Sequence, residues 1–377
     1  MTAPILANRK PLLSREGSLA VCVPTYRRPQ LLKLLLDDLA RQTLRPELLI
    51  VVDGDPVSGE ARHVAYSSRL PCRVAYLPSN HANLPYQRYL GWRAAAGCRW
   101  LVYLDDDLRI TQTECIERLV QPLQWRNRRV AGVTARIVFP RKEQNAPSLP
   151  GCACDRRGRA SWLVRWFGAG GRTPAGGLTP AGNRKRPICN GDDYAAVNWL
   201  HGGVMAFPHE VLDANCFSED VFALAETGCG LGEDTILSRK AGERGELLFA
   251  FCAGVEHPHA DTPKAYAVGN FQLAYATALS RRLINDNYRA SERPTLADRL
   301  SLLRSYAGNT LLHWSRAIGS LERRRLDHAL GYSLGALRGV LQEPAAHRIA
   351  PGIDWRLDAE EALRLVEERK PATCPQP

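Results

Sequence analysis

Three consecutive carboxylates, Asp105, Asp106 and Asp107, close the apolar run Trp100-Leu101-Val102-Tyr103-Leu104. Like charges held a few ångströms apart repel, so such a cluster is costly unless a hard divalent cation such as Mg2+ or Mn2+ shares it. On an extended segment alternate side chains point the same way, so Asp105 and Asp107 are expected to share one target while Asp106 faces elsewhere. The plain alternative is a solvated acidic turn that stops the strand. The other charged clusters have two readings as well. Glu233-Asp234 after Gly232 suits the acidic start of a helix over 235–242, where capping is the simple explanation. His257 and His259, just past a strand at 247–252, are either structural or metal ligands.

The elements that must position these groups read as alternating strands and helices. Leu19 to Val23 is an apolar strand. Pro29 suits a first helical turn, and Leu31, Leu32, Leu35, Leu36 and Leu39 form a stripe at helical spacing. The loop between them carries Thr25, Tyr26, Arg27 and Arg28 beside a helix N-terminus that favours anions. Leu48 to Val52 is a second strand ending in Asp53-Gly54-Asp55, and a third runs from Arg73 to Leu77. A helix from Tyr86 to Ala96 stops at Gly97. Thr111-x-x-Glu114 reads as a capping box opening another helix, and Val130 to Phe139 as a strand. This order predicts a single mainly parallel α/β sheet flanked by helices. The first turn, Pro-Thr-Tyr-Arg-Arg-Pro, lacks the G-x-G-x-x-G of a dinucleotide-binding domain.

With 377 residues, 45% of them hydrophobic, the chain can bury one large or two ordinary cores. No stretch has the roughly 18 apolar residues of a spanning helix, and the start is too mixed for a signal peptide. Eleven scattered cysteines suit a reducing cytosol and ordinary thiols rather than a disulfide framework. A net charge of +11 implies an anionic partner without naming it: nucleic acid, anionic lipid or a phosphorylated substrate.

Residues 1–17 read as a loose arm and 18–265 as the α/β domain. Within it, 141–193 is a basic Gly/Pro-rich insertion that fits a loop, a lid or disorder, with Trp162, Trp166 and Phe167 as a partly apolar cover. Residues 266–345 read as helical and basic, with leucines edged by arginine. Such helices suit either a core packed on the α/β domain or an anionic membrane surface. Residues 346–377 read as a poorly ordered tail.

Together, the landmarks Val23-Pro24-Thr25-Tyr26-Arg27-Arg28, Val51 to Asp55, Arg88-Tyr89-Leu90-Gly91, Leu104 to Asp107, Trp199 to Phe207, Gly232-Glu233-Asp234 and His257 resemble, in order and spacing, the inverting nucleotide-sugar glycosyltransferases of family 2. The resemblance runs from about Leu19 to His259. It implies a GT-A fold and a DXD-type cluster at the end of the central strand. It implies that Pro24, Thr25, Tyr26 and Arg28 border the nucleotide, that Asp53 contacts the base and that Arg88 lies near the diphosphate. Asp105 would face the ribose or sugar, with Asp106 beside it in the nucleotide-binding set. Asp107, joined by His257 rather than His259, would bind Mn2+ or Mg2+. Asp234 matches the catalytic base, with Glu233 beside it. Trp199, His201, Gly202 and Gly203 would line the donor and acceptor pocket. Asp53-Gly54-Asp55 departs from the frequent adjacent acidic pair, and Tyr89 replaces a frequent asparagine.

The implied reaction transfers a hexosyl or deoxyhexosyl group, with a UDP-sugar favoured as donor, to a hydroxyl of a glycan or lipid-linked acceptor, as in polysaccharide biosynthesis. Its place would be the cytoplasm, with a peripheral position on the inner membrane face left open, and no nucleic acid is expected. Two readings compete with it. One is a basic module binding nucleic acid or membrane, with structural carboxylates; the other is a nucleotidyltransferase.

Overall fold

The computed structural model describes residues 18–139, 173–226, 232–258, 269–289, 292–342 and 350–369. The expected arm 1–17, the aromatic cover at Trp162, Trp166 and Phe167, and His259 lie outside the described residues.

The first half follows the strand and helix periodicities. Strand β1 (Leu19–Thr25) is buried throughout, as its apolar run requires. Helix α1 (Pro29–Ala40) turns Leu32, Leu35, Leu36 and Leu39 inward. Then come β2 (Leu48–Asp53), α2 (Glu60–Ser67), β3 (Arg73–Pro78), α3 (Leu84–Ala94) and β4 (Trp100–Leu104). The order β3-β2-β1-β4 is parallel throughout, and Thr25 pairs with Asp53 in register, so the polar loops that follow β1, β2 and β4 emerge along one edge. That edge is where open α/β sheets bind ligands.

Beyond β4 the sheet is mixed. Strands β5 (Arg109–Ile110), β6 (Val130–Val138), β7 (Tyr194–Val197), β8 (Val204–Pro208) and β9 (Glu246–Glu256) extend it in the order β4-β8-β6-β9-β5, with β7 also on β9. β8 runs antiparallel to both β4 and β6, while β6 and β9 are parallel. Residues 198–203 join β7, which lies on β9, to β8, which lies between β4 and β6. Helices α5 (Glu219–Glu226) and α6 (Glu233–Ala241) lie between β8 and β9 in sequence.

Two local expectations are corrected. The capping box at Thr111 and Glu114 does not form: α4 runs Cys115–Val120 without a side-chain cap. Thr111 instead donates its hydroxyl and its backbone N–H to the Gly254 carbonyl, because β9 lies alongside. The tail is not poorly ordered over its described part. Helix α10 (Trp355–Arg364) is capped by Asp354 and buries Trp355, Ala359 and Ala362, and β10 (Glu367–Arg369) pairs antiparallel with β3. The tail thus covers a sheet edge that would otherwise expose unpaired backbone groups.

The C-terminal region is helical as expected: α7 (Asn270–Asp286), α8 (Leu296–Ser320) and α9 (Arg323–Leu341). A reciprocal capping box between Thr295 and Asp298 starts α8. Gly331 and Gly335 bring α9 so close to the α7 backbone that a Cβ at either would collide with the Phe271 or Tyr275 carbonyl. α7 in turn packs Leu279, Leu283 and Ile284 on Val221, Leu224 and Ile236 of α5 and α6. No helix among the described residues is long and apolar enough to cross a membrane.

Candidate functional site

β4 carries the acidic triplet to the sheet edge, but the alternation expected of it is not found. The chain turns after Asp105, whose carbonyl accepts from the Leu108 N–H, so the three carboxylates fan out. Asp105 pairs with Arg88 at 2.8 Å. Asp106 accepts from the Thr25 hydroxyl at 2.7 Å and lies 3.3 Å from Arg28. Asp107 is 2.8 Å from Arg28 and 3.5 Å from His257 Nε2. Asp106 and Asp107 therefore share a target, and Asp105 has its own. Burial pushes the Asp106 carboxyl up to about 7 despite Arg28 and Thr25. Burial also works against ionised Asp107, yet hydrogen bonding and charge from His257, together with Arg28, hold it below the usual carboxylate range.

The opposite wall is the N-terminus of α6, opened by Gly232 in the left-handed region at φ 88°. The turn His201-Gly202-Gly203 ties this wall to β4. Gly203 accepts the Asp105 N–H through its carbonyl at 2.9 Å, and Gly202 donates its N–H to Asp234 at 2.8 Å. A Cβ on Gly202 would lie 2.9 Å from Asp234 Oδ2, and one on Gly203 would lie 3.5 Å from Asp105 Oδ2. Two carboxylates some 130 positions apart in sequence thus flank adjacent residues of one turn, and glycine is required where Asp234 closes in.

Arg88 is a buried strut rather than a group open to the cleft. It is 1% exposed, and it bridges Asp105 and Glu233 (3.0 Å) while donating to the Gly202 carbonyl (2.8 Å). Glu233 lines an apolar hollow with Arg88, Phe217, Phe222 and Ile236, and burial, with Asp234 adjacent, pushes its carboxyl up to about 7. Asp53 also lies beneath the surface: Tyr76 donates to it at 2.8 Å and the Asp55 N–H at 2.9 Å. Pro24 and Thr25 are buried at the end of β1, while Tyr26 and Arg28 are partly exposed above them. His201 Nδ1 faces the Gly203 N–H at 3.4 Å, and burial lowers its imidazole to about 4, so it is neutral near pH 7.

The residue that the sequence reading passed over is Arg184. It ion-pairs with Asp234, donates to Thr235, and stacks its guanidinium 5.3 Å from the centre of the Trp199 ring. Burial would raise the Asp234 carboxyl; Arg184, with smaller help from His201 and Arg88, more than offsets this and holds it below the usual range. The basic run 183–187 was the available signal, but a run of arginines in a polar stretch does not say which carboxylate it meets. α7 fixes this loop: Arg281 donates to the Ala181 carbonyl and to Asn183, and Asn285 to the Pro180 carbonyl.

Among the described residues no three His, Cys, Asp or Glu side chains gather as a metal cluster. Asp107 and His257 form a two-ligand set, which suits Mg2+ or Mn2+ when substrate phosphate and water complete the shell. His257 is stacked on Phe139 at 5.4 Å with Nε2 toward Asp107, and its buried Nδ1 has no hydrogen-bond partner among the described residues.

Residues 20–174 match the model described as Glycosyl transferase family 2. The match ends before Arg184, the 201–203 turn, Asp234 and His257. No curated protein sequence matches. Among solved structures the chain is similar to the mannosyltransferase PcManGT from Pyrobaculum calidifontis in complex with GDP-Man and Mn2+, at 16% identity and a TM-score of 0.46, covering 90% of this chain and 91% of that one. It is also similar to S. aureus TarS 1-349, at 14% identity and a TM-score of 0.41, covering 85% and 90%.

Proposed function

We propose that this chain, with its match to glycosyl transferase family 2, is a metal-dependent inverting glycosyltransferase. It would move a hexosyl or deoxyhexosyl group from a nucleoside-diphosphate sugar, a UDP-sugar for preference, to a hydroxyl of a glycan or lipid-linked acceptor. The observation that supports this reading is the Gly202-Gly203 turn, whose adjacent residues meet Asp234 and Asp105. Its place is the cytoplasm, at the inner membrane face.

In this mechanism the loop after β1 borders the nucleotide, through Pro24, Thr25, Tyr26 and Arg28, with Asp53 beneath it at the end of β2. Asp105 and Asp106 border its ribose and sugar. Asp107 and His257 would hold the divalent cation, which as a Lewis acid neutralises the leaving diphosphate. Asp234 takes the proton of the acceptor hydroxyl as its oxygen bonds to the anomeric carbon. The bond from that carbon to the diphosphate oxygen breaks, and the nucleoside diphosphate leaves. A single displacement inverts the centre and needs no covalent nucleophile. Arg88 and Glu233 position Asp105 and the turn without touching substrate.

A panel of nucleoside diphosphates and their sugars, with and without Mn2+, tests the proposal by thermal shift. At a ligand concentration a hundredfold above Kd, binding stabilises the native state by about 2.7 kcal/mol. Asp107→Ala is expected to lose the Mn2+-dependent part of that shift. If no member of the panel moves the wild-type transition, with or without Mn2+, the reading fails.

Arg184 supplies a second expectation. It lowers the Asp234 carboxyl, so Arg184→Met should let that carboxyl rise toward its ordinary range. The base must be ionised to act, so the acid limb of the pH profile of kcat should move to higher pH. An unmoved limb would show that Asp234 does not set it.

A further inference from the structure

Away from the cleft, the hairpin of α8 and α9 departs from ordinary packing. α9 turns mainly small residues inward, with Ala329, Gly331, Gly335, Ala336 and Gly339 buried beside Tyr332, and leaves Leu326, Leu330, Leu334, Leu337 and Leu341 exposed. At this spacing the five leucines form one stripe opposite the glycines. α8 is largely inverted in the same way: Asp298, Leu302, Ser305, Tyr306 and Ala317 are buried, while Leu296, Leu300, Leu303, Leu311 and Ile318 face out. A helix surrounded by water would hide its leucines and show its polar residues. Leu311 is 60% exposed and Leu337 54% exposed.

The two stripes adjoin. Trp314 falls within the α8 stripe by spacing, and its indole N–H donates to Ser333, at the border of the α9 stripe, at 3.0 Å. The result is one apolar face running the length of α8, about 37 Å for its 25 residues. Its surroundings are cationic. Arg323, Arg324 and Arg325 stand exposed at the tip of the hairpin beside Leu321, and Arg304 and Arg338 are exposed along its sides. Of the hairpin's carboxylates, Asp298 is buried and Glu322 is held by Arg324 and Arg325, which leaves Asp327.

We propose that this face of α8 and α9 lies in the interface of an anionic lipid bilayer, its leucines at the acyl boundary and its arginines on the headgroup phosphates. The charge pattern selects this occupant over a second copy of the chain. Isologous pairing through the face would bring arginine rims together with almost no free carboxylate to meet them. The inference deepens the membrane placement in the proposed function and rests on that reading for the acceptor's location, whereas binding itself needs no transfer activity.

The full chain is sedimented with vesicles of phosphatidylcholine alone and of an equal mixture with phosphatidylglycerol. It is expected to bind the mixed vesicles, less tightly in high salt, and the neutral ones far more weakly. Leu330→Gln, Leu334→Gln and Leu337→Gln combined should weaken binding by at least about a hundredfold. The combined change of Arg323, Arg324 and Arg325 to Gln should weaken it by about a hundredfold on mixed vesicles only, roughly fivefold per arginine. These side chains are exposed, so both variants should keep the wild-type thermal transition and its shift with UDP and Mn2+. Wild-type protein that stays in solution with both vesicles overturns the proposal. So does a leucine variant that binds like wild type, or a dimer by light scattering that the leucine changes split. Vesicle binding without any nucleotide shift would sink the transferase reading alone.

Discussion

Asp234→Asn is expected to keep donor binding and lose transfer, with kcat falling on the order of 10²–10⁴-fold, the usual contribution of a positioned general base. Asn has nearly the same shape and its side-chain oxygen can still accept from the Gly202 N–H, so the 201–203 turn should persist. What it cannot do is take a proton. Release of nucleoside diphosphate in the presence of acceptor reads the transfer, and the thermal shift with nucleotide and Mn2+ reads the donor. Wild-type turnover in this variant would remove Asp234 from the mechanism. A parallel loss of the thermal shift would instead make it part of donor binding.

Arg88→Met should give the largest loss of stability of any single change at the site, about 3–5 kcal/mol, as when one partner of a buried ion pair is removed. The guanidinium has almost no access to water, and both its carboxylate partners and the Gly202 carbonyl depend on it. Burial already pushes Glu233 up to about 7, so without Arg88 its charge has no nearby compensation on that side. Urea unfolding measures the loss. Adding Glu233→Gln to Arg88→Met should recover part of it by removing the stranded charge. A double variant no more stable than the single one would show that the Glu233 pair contributes little.

Much of the scaffold was legible because it depends on local periodicity. The leucine spacing of α1, the apolar runs of β1, β2 and β4 and the breaks at Pro29 and Gly97 are properties of neighbouring residues, and the elements lie where those patterns put them. The expected helices of the C-terminal region formed for the same reason. The capping box at Thr111 failed because a hydroxyl takes whichever acceptor the tertiary structure supplies, here Gly254 from β9. The tail was misread because a short amphipathic helix with one tryptophan is ordered by the surface it meets, not by its own propensity.

The same division holds at the site. Residue types alone mark carboxylates at a strand end, a later Glu-Asp pair and a histidine as chemistry-bearing, since clustered like charge is too costly to be idle. Their partners were decided only in three dimensions. The turn after Asp105 splits the triplet between Arg88 and Arg28, burial makes Arg88 a strut, and α7 presses the 180–184 loop against α6 so that Arg184 meets Asp234. Ion pairs form through space at a few ångströms, and the sequence separations here, from 17 residues for Arg88–Asp105 to 145 for Arg88–Glu233, leave no periodic trace of them. Sequence fixes which groups are present, and the packing of distant elements fixes which of them share a charge.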